Sequence, residues 1–124
     1  MEKKYDLMER TNLFAKQVRK FLFQLPKGYL ILEDSKQLIR SSGSVGANYI
    51  ESQDPVSEKD SFLRIRICRK EAKESVYWLD LLGSYNLNEA QEKERIKLMN
   101  EATELTKIFG TIVQKLKLKQ EAGV

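Results

Sequence analysis

Leu98-Met99-Asn100-Glu101-Ala102-Thr103-Glu104-Leu105-Thr106-Lys107-Ile108-Phe109-Gly110-Thr111-Ile112-Val113-Gln114-Lys115-Leu116 is the stretch that decides the fold of this chain. Within it Leu98, Ala102, Leu105, Phe109, Ile112 and Leu116 recur at steps of 4, 3, 4, 3 and 4. That spacing keeps one apolar face on a helix of 3.6 residues per turn and would scatter over both faces of a strand. Upstream, Asn88 stands as an N-cap with Gln91 three residues on in capping-box position. Downstream, the run ends in lysines that suit the negative end of a helix dipole. A helix over about 89–120 follows.

Outward from this segment the punctuation is sparse. Breaks fall at Pro26 with Gly28, at Asp54-Pro55 and from Gly83 to Asn88. They leave three further segments, about 7–25, 32–53 and 58–85, each long enough for a helix and too long for a strand. The first repeats the pattern with Leu7, Phe14, Val18, Phe21 and Leu25. The second carries Leu38, Val45 and Tyr49 among small residues. The third opens after Ser57, an N-cap with Glu58 and Asp60 in the first turn, and carries Phe62, Ile65, Ala72, Val76 and Leu79. Arg64-Ile65-Arg66-Ile67 alternates as a strand does, but its Glu/Lys-rich surroundings contain no turn. Short connections (Pro26–Ile31, Asp54–Ser57, Gly83–Asn88) favour antiparallel neighbours, so the expected fold is a single all-α domain over 1–124, an antiparallel four-helix bundle.

Composition narrows function mostly by exclusion. The 124 residues are 41% apolar and 32% charged, with two Pro and six Gly, as in an ordinary globular domain. There is no His, which removes Ser-His-Asp and Cys-His triads and any His-bearing zinc or haem site. One Cys, Cys68, cannot form an intrachain disulfide and reads as a small core residue, which fits a reducing compartment. No apolar leader and no spanning-length apolar run is present, so the expectation is a cytoplasmic protein without a membrane partner.

The most unusual stretch is Arg40-Ser41-Ser42-Gly43-Ser44-Val45-Gly46-Ala47-Asn48-Tyr49-Ile50-Glu51. Each Gly inside a helix costs about 0.5–1 kcal/mol relative to Ala, so something must offset it. Close helix–helix approach at Gly43, Gly46 and Ala47 is the physical candidate. An anion cradle is the alternative, since Gly43-Ser44-Val45-Gly46 fits a GxxG loop. That reading requires a neighbouring strand or sheet, and none is in view.

These residues, extended upstream by Gln37-Leu38-Ile39, resemble the signature of the 23S rRNA intervening-sequence proteins, a family of four-helix-bundle proteins. Arg10-Thr11, Phe14-Ala15, Leu25-Pro26-Lys27, Ser57, Asp60-Ser61-Phe62 and Lys70 through Leu79 carry the resemblance over nearly the whole chain. The family is similar to the accessory subunit of diversity-generating retroelements. The resemblance implies a homopentameric barrel of four-helix protomers, nucleic acid (RNA or DNA) and a reverse transcriptase or other protein as partners, and no catalytic activity.

Four polar residues are candidates for an inward-facing network that fixes helix register: Arg40, Asn48, Glu51 and Glu74. Paired carboxylates for acid–base chemistry or a metal are the sharper reading, but di-metal bundles use Glu-x-x-His and this chain has no His. Neither an enzyme nor a metal or cofactor protein is expected.

Charge is more informative. The formal net charge is +4, yet Arg10, Lys16, Arg19, Lys20 and Lys27 form one block without an acid, and Lys107, Lys115, Lys117 and Lys119 form another. Lys16, Lys20 and Lys27 project opposite Val18, with Leu13 and Phe23 nearby, a basic and apolar mixture found on nucleic-acid surfaces and equally on a solvated face packed against a neighbour. Around the third segment Tyr77, Trp78, Leu79, Leu81 and Leu82 place apolar groups nearly all round the helix. With Phe23, the residues Tyr77, Trp78 and Leu81 therefore mark an expected interface of a ring-like homo-oligomer. Two functions stay open: a nucleic-acid-binding or ribonucleoprotein accessory factor, and a protein–protein adaptor or scaffold whose basic blocks merely confer solubility.

Overall fold

A computed structural model, which describes residues 6–123, has four helices and, among those residues, no strand. They are α1 (Leu7–Phe23), α2 (Tyr29–Gln53), α3 (Glu58–Leu82) and α4 (Glu89–Ala122). Three N-termini are closed by side chains. Asp6 accepts from the Glu9 N–H at 2.8 Å, Ser57 from the Asp60 N–H at 3.0 Å, and Asn88 with Gln91 makes the full reciprocal box.

Two helix ends depart from the sequence expectation. α2 begins at Tyr29 rather than near 32, because the Gly28 carbonyl already accepts from the Leu32 N–H at 2.9 Å. Tyr29, Leu30 and Ile31 are therefore helix, not loop. α3 stops at Leu82 rather than 85, where Gly83 and Ser84 turn their N–H groups back to Asp80 and Leu81.

The helices pack in cyclic order: α1 on α2, α2 on α3, α3 on α4 and α4 back on α1. The Gln91 side chain reaches the Gln24 carbonyl at 3.1 Å, and Arg10 meets Glu101 at 2.8 Å. The start of α4 thus lies at the end of α1, and the two run antiparallel. Phe14, Val18, Phe21 and Leu25, then Leu38 and Val45, then Ile65, Cys68, Ala72 and Leu79, then Leu98, Ala102, Leu105 and Phe109 fill the core. Four of the six positions that defined the last segment are buried. Ile112 and Leu116 are half-buried, because α4 has 34 residues against 17 in α1 and outruns it.

The small residues of α2 serve two neighbours. A Cβ on Gly46 would stand 3.1 Å from Thr11 Oγ1 and 3.4 Å from Thr11 Cβ, so Gly46 lets buried Thr11 of α1 seat directly on the helix. On the opposite side, Ser41 Oγ and Ser75 Oγ of α3 lie 2.8 Å apart, and the Cys68 thiol points at the Val45 carbonyl. Gly43 is different: a Cβ there meets only the Arg19 guanidinium, at 3.1 Å. Ala47 is exposed and lines an open groove between α1 and α2 instead of a close contact. Gly46→Leu should therefore cost about 1–3 kcal/mol by overpacking against α1, whereas Gly43→Leu displaces a flexible side chain and should cost less than half as much. Thermal melts of both variants read the difference, and equal stability of Gly46→Leu and wild type would refute the close contact.

Candidate nucleic-acid interface

The polar network expected from the sequence divides in two. Arg40 pairs with Glu71 at 3.0 Å and with Glu74, joining α2 to α3. Asn48 accepts from Arg64 Nη1 at 3.1 Å and donates to the Ser44 carbonyl at 2.9 Å, while Arg64 also pairs with Asp60 at 3.4 Å. Glu51 is exposed, and its side chain makes no hydrogen bond or ion pair among the described residues. Arg40 and Asn48 are eight residues apart, about 12 Å of helix rise, too far to share one cluster. Arg40 itself is exposed, so this is a clamp at the bundle surface rather than a buried network. Glu71, the buried member of the clamp, was not among the expected residues. Among the described residues no three His, Cys, Asp or Glu side chains gather to ligate a metal. Burial pushes the Cys68 thiol up to about 12, so it stays protonated and unreactive at neutral pH.

The basic residues also sort into occupied and free. Arg10 is held by Glu101, whose hydrogen bond raises the guanidinium pKa further. Arg19 folds back over Gly43 and donates to the Ala15 carbonyl at 3.0 Å and the Ile39 carbonyl at 3.2 Å. Arg10 is thus neutralised by a carboxylate, whereas Arg19 is exposed and its charge has no carboxylate partner among the described residues. Lys16 and Lys20 are exposed on α1, but Lys27 lies in the connection beyond the helix end and leaves their line. Lys115, Lys117 and Lys119 are exposed on the last turns of α4, with Lys119 beside Pro55 and Glu58.

A further basic surface lies on α3. Arg66, Arg69, Lys70 and Lys73 are all exposed, and none is in an ion pair among the described residues. At 100° per residue they lie within about 60° of Lys73, away from the core. Arg66 sits 5.8 Å over the Phe62 ring. Arg69 lies across α4 at Gly110, where a Cβ would be 3.4 Å from its Nε. Lys107 of α4 faces them over a shallow groove of about 690 Å³ that also contains Tyr77. A second groove of about 490 Å³, lined by Arg66, Ile67 and Val113, adjoins it through Arg69, Lys70 and Lys73. Of the expected basic residues, Lys107 alone joins this surface. The search for acid-free blocks passes over this run, because Glu71 and Glu74 interrupt it although both turn to Arg40.

The expected oligomer residues separate as well. Trp78 packs against the core and Leu81 is half-buried, so the bundle itself absorbs most of the apolar excess of α3. Tyr77 remains 55% exposed and Phe23 85%. Phe23 belongs to a different patch, an apolar groove with Tyr29, Leu32 and Ile39 between the end of α1 and the start of α2. In the cyclic packing order the α1–α2 and α3–α4 faces are opposite sides of the bundle.

The family model for the 23S rRNA-intervening sequence protein matches residues 3–111. A crystal structure of a protein of unknown function from the S23 ribosomal protein family of Bacteroides thetaiotaomicron is similar at 30% identity, with a TM-score of 0.73 over 87% of this chain and 98% of that one. No curated protein matches.

Proposed function

The chain belongs to the 23S rRNA-intervening sequence protein family, and from that premise we propose that it is a non-catalytic, homo-oligomeric nucleic-acid-binding protein. The observation that carries this reading is the ridge of Arg66, Arg69, Lys70 and Lys73 with Lys107 facing it, cations left without carboxylate partners among the described residues. Sequence-independent nucleic-acid binding draws its free energy from such groups, which replace counterions condensed on the phosphates. No base-reading motif accompanies them, so the ridge binds backbone and not a defined sequence.

Self-association is supported by the other side of the molecule. Phe23, Tyr29, Leu30, Leu32 and Ile39 expose apolar surface at one end of the α1–α2 pair. A second copy covering that patch leaves the basic α3–α4 face open, so assembly and nucleic-acid binding do not compete. A ring of five, as the sequence resemblance implies, would repeat the ridge five times and carry a formal charge of +20 from +4 per chain.

The test is a titration with labelled RNA and DNA at about 50 and 200 mM salt, beside light scattering of the free protein. Five phosphate contacts per protomer predict a fall in affinity of roughly two to three orders of magnitude between those salts. No binding at the lower salt would leave the adaptor or scaffold function, and a single protomer mass of 14.5 kDa would remove self-association.

A further inference from the structure

The α3–α4 groove contains more than charge. Tyr77 is 55% exposed and is braced edge-on against Trp78, with ring centroids 5.0 Å apart and planes at 71°. Trp78 is in turn packed on the core, so the tyrosine ring is held at the groove and not free to collapse away. Val76 and Met99 line the groove beside it, and Thr103 and Thr106 stand on the α4 side. Thr106 returns its hydroxyl to the Ala102 carbonyl at 2.7 Å, while Thr103 is exposed and its hydroxyl has no partner among the described residues. The groove is shallow and open, so one face of a planar group can lie on the ring.

Tyr77 also lies in line with the cations. Arg66, Lys70, Lys73 and Tyr77 follow one another at steps of 4, 3 and 4 on one helical face. From Arg66 to Lys73 is about 10 Å of helix rise, and Tyr77 lies about 6 Å further. Two carboxylates also line the groove, Glu74, which is paired with Arg40, and Asp80 beyond Tyr77, so the unpaired cations lie on the side of Tyr77 toward Arg66. A row of cations with an aromatic ring at its end and an apolar floor beneath matches a single strand, whose base faces are uncovered. A duplex keeps its base faces stacked on one another and offers Tyr77 nothing to stack on.

We infer that the α3–α4 groove binds single-stranded nucleic acid, with one base stacked on Tyr77 and the phosphates that follow it held by Lys73, Lys70, Arg69 and Lys107. This rests on the nucleic-acid reading above and specifies the substrate class of the same surface.

The experiment is anisotropy titration of the full chain at low salt with labelled oligo(U), oligo(dT) and a mixed-sequence duplex of equal length. At least one of the single strands should bind about tenfold or more tightly than the duplex, and comparison of the two separates RNA from DNA. Tyr77→Ala should weaken single-strand binding about tenfold, with duplex binding unchanged and Tyr77→Phe close to wild type. Unaltered melting of both variants establishes that the bundle is intact. A duplex bound as tightly as both single strands, or single-strand affinity indifferent to Tyr77→Ala, overturns the inference and leaves backbone binding standing. No binding of any probe overturns both.

Discussion

Arg66→Glu, Lys70→Glu and Lys73→Glu in one chain should reduce nucleic-acid affinity at low salt by roughly 100-fold or more, without loss of helicity. The three side chains are exposed and in no ion pair among the described residues, so their reversal costs the bundle no salt bridge and only the contact of Arg66 with the Phe62 ring. Nucleic acid loses three contacts and meets three repulsions in their place. The net charge falls from +4 to −2, which also removes long-range attraction. A control of equal charge separates the two effects. Lys16→Glu, Lys20→Glu and Lys27→Glu make the same change in net charge on the other side of the bundle, at residues that do not share one continuous line. That triple variant should lose less than about tenfold, the long-range part alone. If the two triple variants weaken binding equally, the ridge on α3 is not the contact surface. The residual salt dependence gives an independent reading, because each lost phosphate contact lowers the slope of log affinity against log salt by about 0.7–0.9.

The contrast between these two triplets shows what sequence periodicity conveys and what it does not. Leu98 through Phe109 and Phe14 through Leu25 were legible because burial on one helical face leaves a 3.6-residue imprint. Caps at Ser57 and Asn88 were legible for a similar reason: a short polar side chain answers an N–H three residues away, within the same local stretch. Partnerships across helices leave no such imprint. Glu71 and Glu74 look like ordinary surface acids until α2 brings Arg40 beside them, and their capture is what unmasks the neighbouring cations. Conversely, Arg10 and Arg19 look like free basic residues, but Glu101 and the carbonyls of Ala15 and Ile39 take up their hydrogen bonds. The same holds for Trp78, whose burial depends on the bundle core and not on its own helix. The start of α2 was hidden for another reason. Tyr29-Leu30-Ile31-Leu32 is apolar in every position and so has no amphipathic phase, and Tyr29, Leu30 and Leu32 remain exposed in the bundle.

Phe109→Ala should be the most damaging truncation in the core, at about 3–5 kcal/mol. Phe109 has 0% exposure and, with Phe14, heads the fully buried side chains in size. Its ring stands 6.0 Å from that of Tyr49, tilted by 56°. Tyr49 is on α2 and Phe109 on α4, two helices whose backbones do not pack side by side. The pair therefore meets across the diagonal of the bundle. Removing the ring leaves a void that neither backbone can close, since both are fixed by their flanking neighbours. Against a total stability of about 5–15 kcal/mol this is a large fraction. The expected fall in melting temperature is roughly 10–20 °C for a domain of this size. Leu116→Ala, one face-repeat further along α4 and half-buried, should cost only about 1 kcal/mol. The ordering follows from packing: both residues occupy the same apolar face, but Phe109 is fully buried and Leu116 only half-buried. Equal costs for the two truncations in denaturant titrations would mean that the core continues undiminished to Leu116.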